Sequence, residues 1–423
     1  VAKPGPQAGI TNRPPEHLLL ASFNFVEGKE ARRSIEALRD LIAHELESRL
    51  SPENQDKTLP SAETGELGFV PDYDRAFLTI TLGLSASGVQ KLGLPEPPAD
   101  LRTIPWGDLV DGEAPADTGG DLVLQICADN LYICEHVVRR VEEELGEEFT
   151  LNTAFIGSQR YSTRAGRTSR REGRALIGFL DGTSNLDPRR DEDDAKLVFV
   201  DPKEVPNYPP NPPAGEQQGE NNPYGQPADP KPHFPELHPL PEKEPDWTEH
   251  GTYMTVRVST FGTRDWDKLS QADQEQTVGR FKVHGASLDL TDTDADLDKE
   301  PAFAKDKDAP GVAKTAHIRK ANPRGENEVD EPRRIFRRGY PLIGPGIGEL
   351  QRGLIFISFG RSITTQFEFI VRAWIRNNDF PFPGAGVDPL FAKVGEKVLG
   401  GGYYFVPPLG KKTEPWTWKL PAA

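Results

Sequence analysis

Cysteine is scarce: Cys127 and Cys134 are the only two in 423 residues. Two cysteines build neither a disulfide framework nor a cysteine-based zinc site. One bridge between them is open as a reading. Both, however, sit in the apolar stretch 122–138, where free thiols behave as small buried hydrophobes. Long hydrophobic runs are also missing. No stretch approaches the roughly 18 apolar residues of a spanning helix, which excludes an integral membrane protein. Positive charge is in the minority, with 50 Lys+Arg against 66 Asp+Glu and a net charge of −16. Such a surface repels phosphate backbones, so nucleic acid is not an expected partner. The eight histidines include no H-E-x-x-H pair, which argues against a zinc hydrolase. No G-x-S-x-G elbow occurs. The glycine-rich run 344–349 (GPGIGE) lacks both the lysine and the preceding strand of a phosphate-binding loop and reads as a plain loop.

What is present is an element order that occurs twice. Residues 17–26 (HLLLASFNFV) read as a short apolar strand. Residues 31–50 place Ile35, Leu38, Leu41, Ile42, Leu46 and Leu50 at helical spacing, with charge on the other face. A polar loop, 51–74, leads to a strand at 75–83 (RAFLTITLG). Ser85 or Ser87 caps a short helix through Leu92. A third strand at 121–128 (DLVLQICA) is followed by a helix from Asn130, its cap, to Leu145, and by another strand near 151–159. This order suits a ferredoxin-like α+β sandwich, a sheet covered on one face by helices. The second half repeats it: a strand at 252–261, a helix at 266–280 with Ser270 and Asp273 as a capping pair, a strand at 353–360, a helix at 364–376, and a strand at 403–406 after a triple glycine. The order repeats, but the sequence does not. Residues 1–16 read as an arm. Between Asp201 and Asp246 lie 14 of the 40 prolines, a density that forbids regular structure. Motif-like segments flank this excursion on both sides, so it is an insertion and not a domain boundary.

Two features carry possible chemistry. Residues 317–338 hold Arg319, Lys320, Arg324, Arg333, Arg334, Arg337 and Arg338 on an otherwise acidic chain. They form either a solvated, salt-bridged face or a grip on an anionic ligand, which Arg forks suit. Residues 178–185 (GFLDGTSN) follow an apolar run and end in turn formers, placing Asp181 at an element end where backbone can approach a ligand. The plainer alternative is a turn Asp bonded to its own backbone.

Here the residues carry a resemblance. Gly178-x-x-Asp181-Gly182 is similar to the G-x-x-D-G motif of dye-decolourising peroxidases, which are haem enzymes. In the same order, 274–280 (QEQTVGR), 317–324 (HIRKANPR) and 337–340 (RRGY) resemble that family's helix-end, proximal-histidine and distal-arginine segments. The matches span about residues 17 to 410, although the proline-rich excursion departs from the compact family pattern.

The resemblance implies two ferredoxin-like modules, each an antiparallel sheet packed with helices, at 17–160 and 161–423. It places one haem b per chain in the C-terminal module. It implies His317 as the iron ligand, with Asp388 or Glu396 as candidates to accept its second N–H. His284 has no matching motif. Asp181 is implied as the proton shuttle in peroxide cleavage, ionised beside a cation, and Arg337, not Arg338, as that cation and the group polarising the O–O bond. Gly182, Thr183, Ser184, Asn322, Pro323 and Arg324 are expected to contact the porphyrin. Arg280 and, less directly, Arg257 are expected at a propionate. The implied activity is reduction of hydrogen peroxide to water through a ferryl intermediate, with oxidation of dyes, phenols and other small organic donors. The alternative is a haem carrier or iron-releasing protein with little turnover. Trp266, Trp374, Trp416, Trp418, Tyr403 and Tyr404 are candidates to pass electrons from bulky donors, with ordinary packing as the simpler role. A homo-oligomer is an option the family offers. The chain begins at Val1, and some relatives carry export signals, so export is the expectation and the cytoplasm the alternative.

Overall fold

The computed structural model describes residues 5–50, 77–110, 113–116, 118–162, 172–204, 243–290, 301, 303, 311–324, 330–344 and 350–409. The expected loop at 51–74, most of the proline-rich insertion, the glycine-rich run after Gly344, and Trp416 and Trp418 lie outside them.

The first module runs β1 (His17–Phe25), α1 (Ala31–Leu50), β2 (Thr79–Leu84), α2 (Ala86–Lys91), α3 (Trp106–Leu109), β3 (Leu122–Ala128), α4 (Leu131–Leu145) and β4 (Phe149–Ser158). Its caps are the expected ones. Ser85 Oγ accepts from Gly88 N, and the Asn130 side chain accepts from Tyr132 N. The two short strands β5 (Arg160–Ser162) and β6 (Glu172–Arg174) pair with each other, and α5 (Glu192–Val198) follows. The second module runs β7 (Thr252–Thr260), α6 (Thr263–Lys268), α7 (Gln271–Val278), α8 (His317–Ala321), β8 (Phe336–Arg337), β9 (Tyr340–Gly344) and β10 (Gln351–Gly360). It continues through two π-helical segments, Ile363–Glu368 and Ile370–Ile375, joined at Phe369, to α9 (Pro389–Lys393) and β11 (Lys397–Val406).

The first sheet has the order β2-β3-β1-β4 and the second β11-β7-β10-β9, with every pairing antiparallel. Both are the ferredoxin-like order, so the fold is the α+β duplication that the repeated elements imply. The sheets meet at both edges, through Phe405–Leu84 and Gly157–Leu342, and close into a ring. Each sheet is therefore buried on two faces. Leu18, Leu20, Val123, Met254, Val256, Val258, Ile355 and Ile357 pack between the sheets. Leu19, Ala21 and Phe23 turn outward under α1 and α4, which bury Ile35, Leu38, Ile42, Ile133, Val137 and Val141. Cys127 and Cys134 are both buried free thiols.

Four sequence expectations need correction. Of the strand expected at 75–83, residues 75 and 76 lie outside the described residues, and among the described ones β2 begins at Thr79, past Phe77 and Leu78. The helix expected at 266–280 is two helices, because Ser270 accepts from Asp273 N at 3.1 Å and so starts a new one at Gln271. The triple glycine does not precede the last strand but lies inside it. Gly401 has φ +136°, and a Cβ there would overlap the Val256 carbonyl of the neighbouring strand. The helix expected at 364–376 is π-helical, a wider form that is rare and concentrated at functional sites.

Candidate functional site

The helix-covered face of the second sheet is not filled. Arg257 and Ser259 of β7 and Leu354 and Phe356 of β10 floor a cavity there. The π-helical segments wall it with Phe367, Ile370, Val371, Trp374 and Ile375, and α8 brings His317, Ile318 and Ala321. The turn after β6 adds Asp181, Gly182, Thr183 and Ser184. The cavity volume is about 280 Å³, many times the roughly 30 Å³ share of one water, so the cavity suits a large organic group.

His317 opens α8. Its Nδ1 lies 2.6 Å from Asp388 Oδ2. With Nδ1 engaged, Nε2 is the ring nitrogen left for a metal. Asp388 is fully buried and holds more than the imidazole. Its Oδ1 accepts from Leu390 N at 2.9 Å, capping α9, and its own N–H donates to Ile375 O at 2.8 Å. One aspartate thus ties α8, the π-helical wall and α9 together. Glu396, the other candidate, is committed to Arg257 Nη2 at 2.6 Å and Ser259 Oγ at 2.7 Å. Arg257, expected less directly at a propionate, lines the cavity with its guanidinium paired to that carboxylate. Asp388→Asn keeps one acceptor oxygen where two are used. We expect roughly 10–100-fold weaker haem binding, measured by haem titration; unchanged affinity would make the pair incidental.

Lys320, one turn along α8, is fully buried and donates from Nζ to the carbonyl of Asn377 at 2.9 Å and to that of Gly386. Burial pushes its pKa down to about 8 against an ordinary 10.5, with Asp388 pulling the other way. The folded value lies below the unfolded one. Between them the unfolded chain binds more protons, so stability rises with pH from about 8 to about 10.5 and carries the full penalty below about 8. The denaturation midpoint of the wild type should therefore climb relative to Lys320→Met between pH 8 and 10. Parallel curves would refute the assignment.

Asp181 sits after β6, its N–H bonded to Gly173 O at 2.9 Å. Its turn needs left-handed backbone at Gly182 (φ +76°) and at Ser184 (φ +51°), the latter a strained residue of the kind found at functional sites. A Cβ at Gly182 would meet only open space, and one at Gly339 would come within 3.1 Å of Asp181 Oδ2. The missing Cβ of Gly339 leaves room at the carboxylate. Arg337 approaches the same turn. Its Nη2 donates to Thr183 O at 2.7 Å. Asn185 locks the two together, with Oδ1 accepting from Arg337 N at 3.0 Å and Nδ2 donating to Arg337 O at 2.9 Å. Arg337 is half-buried, and the surface it keeps lines the cavity. Burial lowers its pKa, the charge of Asp181 raises it, and Arg334 lowers it further. Arg338 goes elsewhere. It is buried and donates from Nη1 to Ile10 O at 3.3 Å and to Asn12 O, tethering the N-terminal arm.

The basic cluster is neither a solvated face nor wholly a ligand grip. Arg319, Lys320, Arg324, Arg333 and Arg338 are buried and donate to backbone carbonyls. Arg280, Asn322, Arg324, Arg333, Arg334 and Arg337 reach the cavity wall. Arg280 also donates to Gly285 O at 2.9 Å and Ser184 Oγ at 3.2 Å. Pro323 is not in the wall. His284 packs on Phe281, ring centroids 4.7 Å apart, away from the cavity. Asn185 and the clamp role of Asp388 were not read from sequence. Asn185 closes the motif that was singled out, so its position was visible but its partner strand was not.

The donor set can be tested against the implied cofactor. Among the described residues no three His, Cys, Asp or Glu side chains converge as a metal-ion site. A metal on His317 must therefore bring most of its ligands with it, as a porphyrin does. The apolar walls suit the macrocycle, and the cavity arginines suit its carboxylates. Comparison with known proteins decides the family. The model for the N-terminal part of Dyp-type peroxidases matches residues 7–157, and that for the C-terminal part residues 214–411. The chain belongs to the DyP-type peroxidase family. Haem is the cofactor of this family, and the residues of the cavity fit it. The Escherichia coli K12 protein named deferrochelatase is 27% identical over 410 residues, covering 95% of this chain and 82% of that one. The DyP-type peroxidase structure from Cellulomonas bogoriensis superposes with a TM-score of 0.66 at 24% identity, covering 100% and 96%. Oxyferrous DtpA from Streptomyces lividans gives 0.66 at 20% identity, covering 98% and 95%. At these identities the two structures speak for the DyP fold alone.

Proposed function

We propose that this protein is a haem peroxidase that reduces hydrogen peroxide to water and oxidises small organic donors such as dyes and phenols. The observation that carries this reading is Asp181 and the half-buried Arg337 in one cavity wall, with a carboxylate-oriented histidine lining the same space. A haem carrier needs the histidine but neither of the other two. When bound, haem would supply the redox chemistry, a redox-active iron able to accept oxidising equivalents from peroxide and pass them to a donor.

The chain's own part is positioning and proton movement. His317 Nε2 would hold the iron, and Asp388 would keep the ring oriented and basic. Asp181 takes the proton from the peroxide oxygen that stays and returns it to the oxygen that leaves as water. Arg337, fixed by Thr183 O, meets the negative charge that develops on the leaving oxygen. It costs no reorganisation, because Asn185 already fixes its backbone to the Asp181 turn. Arg280, Arg324, Arg333 and Arg334 line the cavity, where they would lend positive charge to haem carboxylates.

A second reading, iron release from haem with little turnover, takes support from the curated relatives named deferrochelatase. Peroxide and a phenolic donor, added to the haem-loaded protein beside an iron chelator, separate the two. The peroxidase reading expects many donor molecules oxidised per haem with the iron retained. Iron in the chelator without donor turnover would overturn it in favour of the second.

A further inference from the structure

The helix that carries His317, α8, is five residues long. A helix that short is not stable by itself, so its placement depends on what its side chains hold. Arg319 is tied locally, to Val312 O at 3.0 Å, with its guanidinium 4.7 Å from the centre of the Phe303 ring. His317 and Lys320 reach further. They stand three residues apart, on one face of the helix, and both close on the chain between Ile375 and Asp388. His317 meets the Asp388 carboxylate, and Lys320 meets the carbonyls of Asn377 and Gly386.

Those two carbonyls lie at the neck of a loop. Asp388 N donates to Ile375 O at 2.8 Å and Gly386 N to Asn378 O at 2.9 Å, so the outgoing and returning chain run side by side. Asn377 is buried and closes the base, with Nδ2 on Ala373 O at 3.1 Å and Oδ1 accepting from Asp379 N at 2.9 Å. Lys320 Nζ bridges the two sides of the neck, at Asn377 on the way out and at Gly386 two residues before Asp388. A fully buried ammonium is a costly clip. Two neutral carbonyls do not repay its removal from water, and methionine would fill the space without that cost. What the lysine supplies is several donors on one point, fixed to both sides of the neck, and a positive charge that the charge of Asp388 attracts.

We propose that Lys320 is a positioning residue for the iron ligand, pinning the neck of the 376–387 loop so that Asp388 stays in hydrogen-bond register with His317 Nδ1. Lys320 does not line the cavity. It acts through Asp388, whose bond orients the imidazole and makes it a stronger donor to the metal. The inference rests on the part of the reading above that gives His317 to the iron, and on no step of peroxide turnover.

The test is resonance Raman spectroscopy of the haem-loaded, dithionite-reduced protein, which reads the iron–histidine stretching mode. The ferric/ferrous midpoint potential is measured in parallel. Lys320→Met removes the donors and the charge, while Lys320→Gln keeps a neutral donor one atom shorter. Haem content and circular dichroism are read for each. In Lys320→Met the mode should move to lower frequency and the potential should rise, in the direction of Asp388→Asn and by less. Lys320→Gln should fall between Lys320→Met and wild type. Added to Asp388→Asn, Lys320→Met should shift neither reading further, because the bond it supports is already weakened. A haem-loaded Lys320→Met protein with the wild-type mode and potential overturns the proposal, as does a full further shift on top of Asp388→Asn. Loss of folding in both Lys320 variants makes the residue purely structural and overturns it too. In each of these cases donor turnover by the wild type leaves the peroxidase reading standing. An iron–histidine mode missing from the wild type overturns the ligand assignment and this proposal with it.

Discussion

Asp181→Ala slows the reaction of the haem-loaded protein with hydrogen peroxide by about 10²–10⁴-fold, the usual worth of a positioned proton-transfer group. Haem content stays the same. The separation of the two effects is the informative part. Asp181 lies on a turn held by its backbone, by Gly173 O and by the Asn185 lock on Arg337, none of which uses its carboxylate for folding. Its Oδ1 accepts from the N–H of the next residue, Gly182, at 2.7 Å. Truncation therefore removes a base and leaves the cavity wall standing. The rate is read by stopped-flow absorbance at the Soret band. Unchanged kinetics would place the proton shuttle on another group.

Arg337→Leu is expected to slow the same step by about 10²–10³-fold, as loss of a preorganised charge-stabilising donor does. The cation sits where burial already lowers its pKa, so its charge is little screened and acts strongly on a developing anion. Arg338→Leu is the internal control. That guanidinium reaches Ile10 and Asn12 carbonyls, so its loss should cost about 1–3 kcal/mol of stability and leave the peroxide step alone. If the kinetic loss appears in Arg338→Leu and not in Arg337→Leu, the roles are reversed.

Much of the fold was legible because it is written in local signals. Helical spacing over 31–50 and 130–145, with Ser85, Asn130 and Ser270 as caps, needs no tertiary information. The places where the reading failed are those where a neighbour decides. Gly400 and Gly401 look like a breaker, yet they lie inside β11 because the Val256 carbonyl and the Thr118 side chain crowd that strand. The π-helical form of 363–375 rests on i→i+5 backbone bonds, which the apolar residues read as an α-helix over 364–376 do not announce. At the site, Asp181, Arg337 and His317 were found through a resemblance and not through spacing, since 156 residues separate the first two. The choice between Asp388 and Glu396 is a matter of three dimensions: α9 delivers one to His317, and Arg257 claims the other. The charge cluster at 317–338 misled for a related reason. Sequence shows where cations are, not that backbone carbonyls already hold five of them.

The electronic absorption spectrum of haem-loaded His317→Ala, recorded with and without added imidazole, bears most directly on the whole assignment. Loss of the iron's protein ligand should deplete haem or change its spin state, and free imidazole entering the vacated space should restore the wild-type bands. A variant spectrum identical to wild type, indifferent to imidazole, would show that the iron is held by some other side chain.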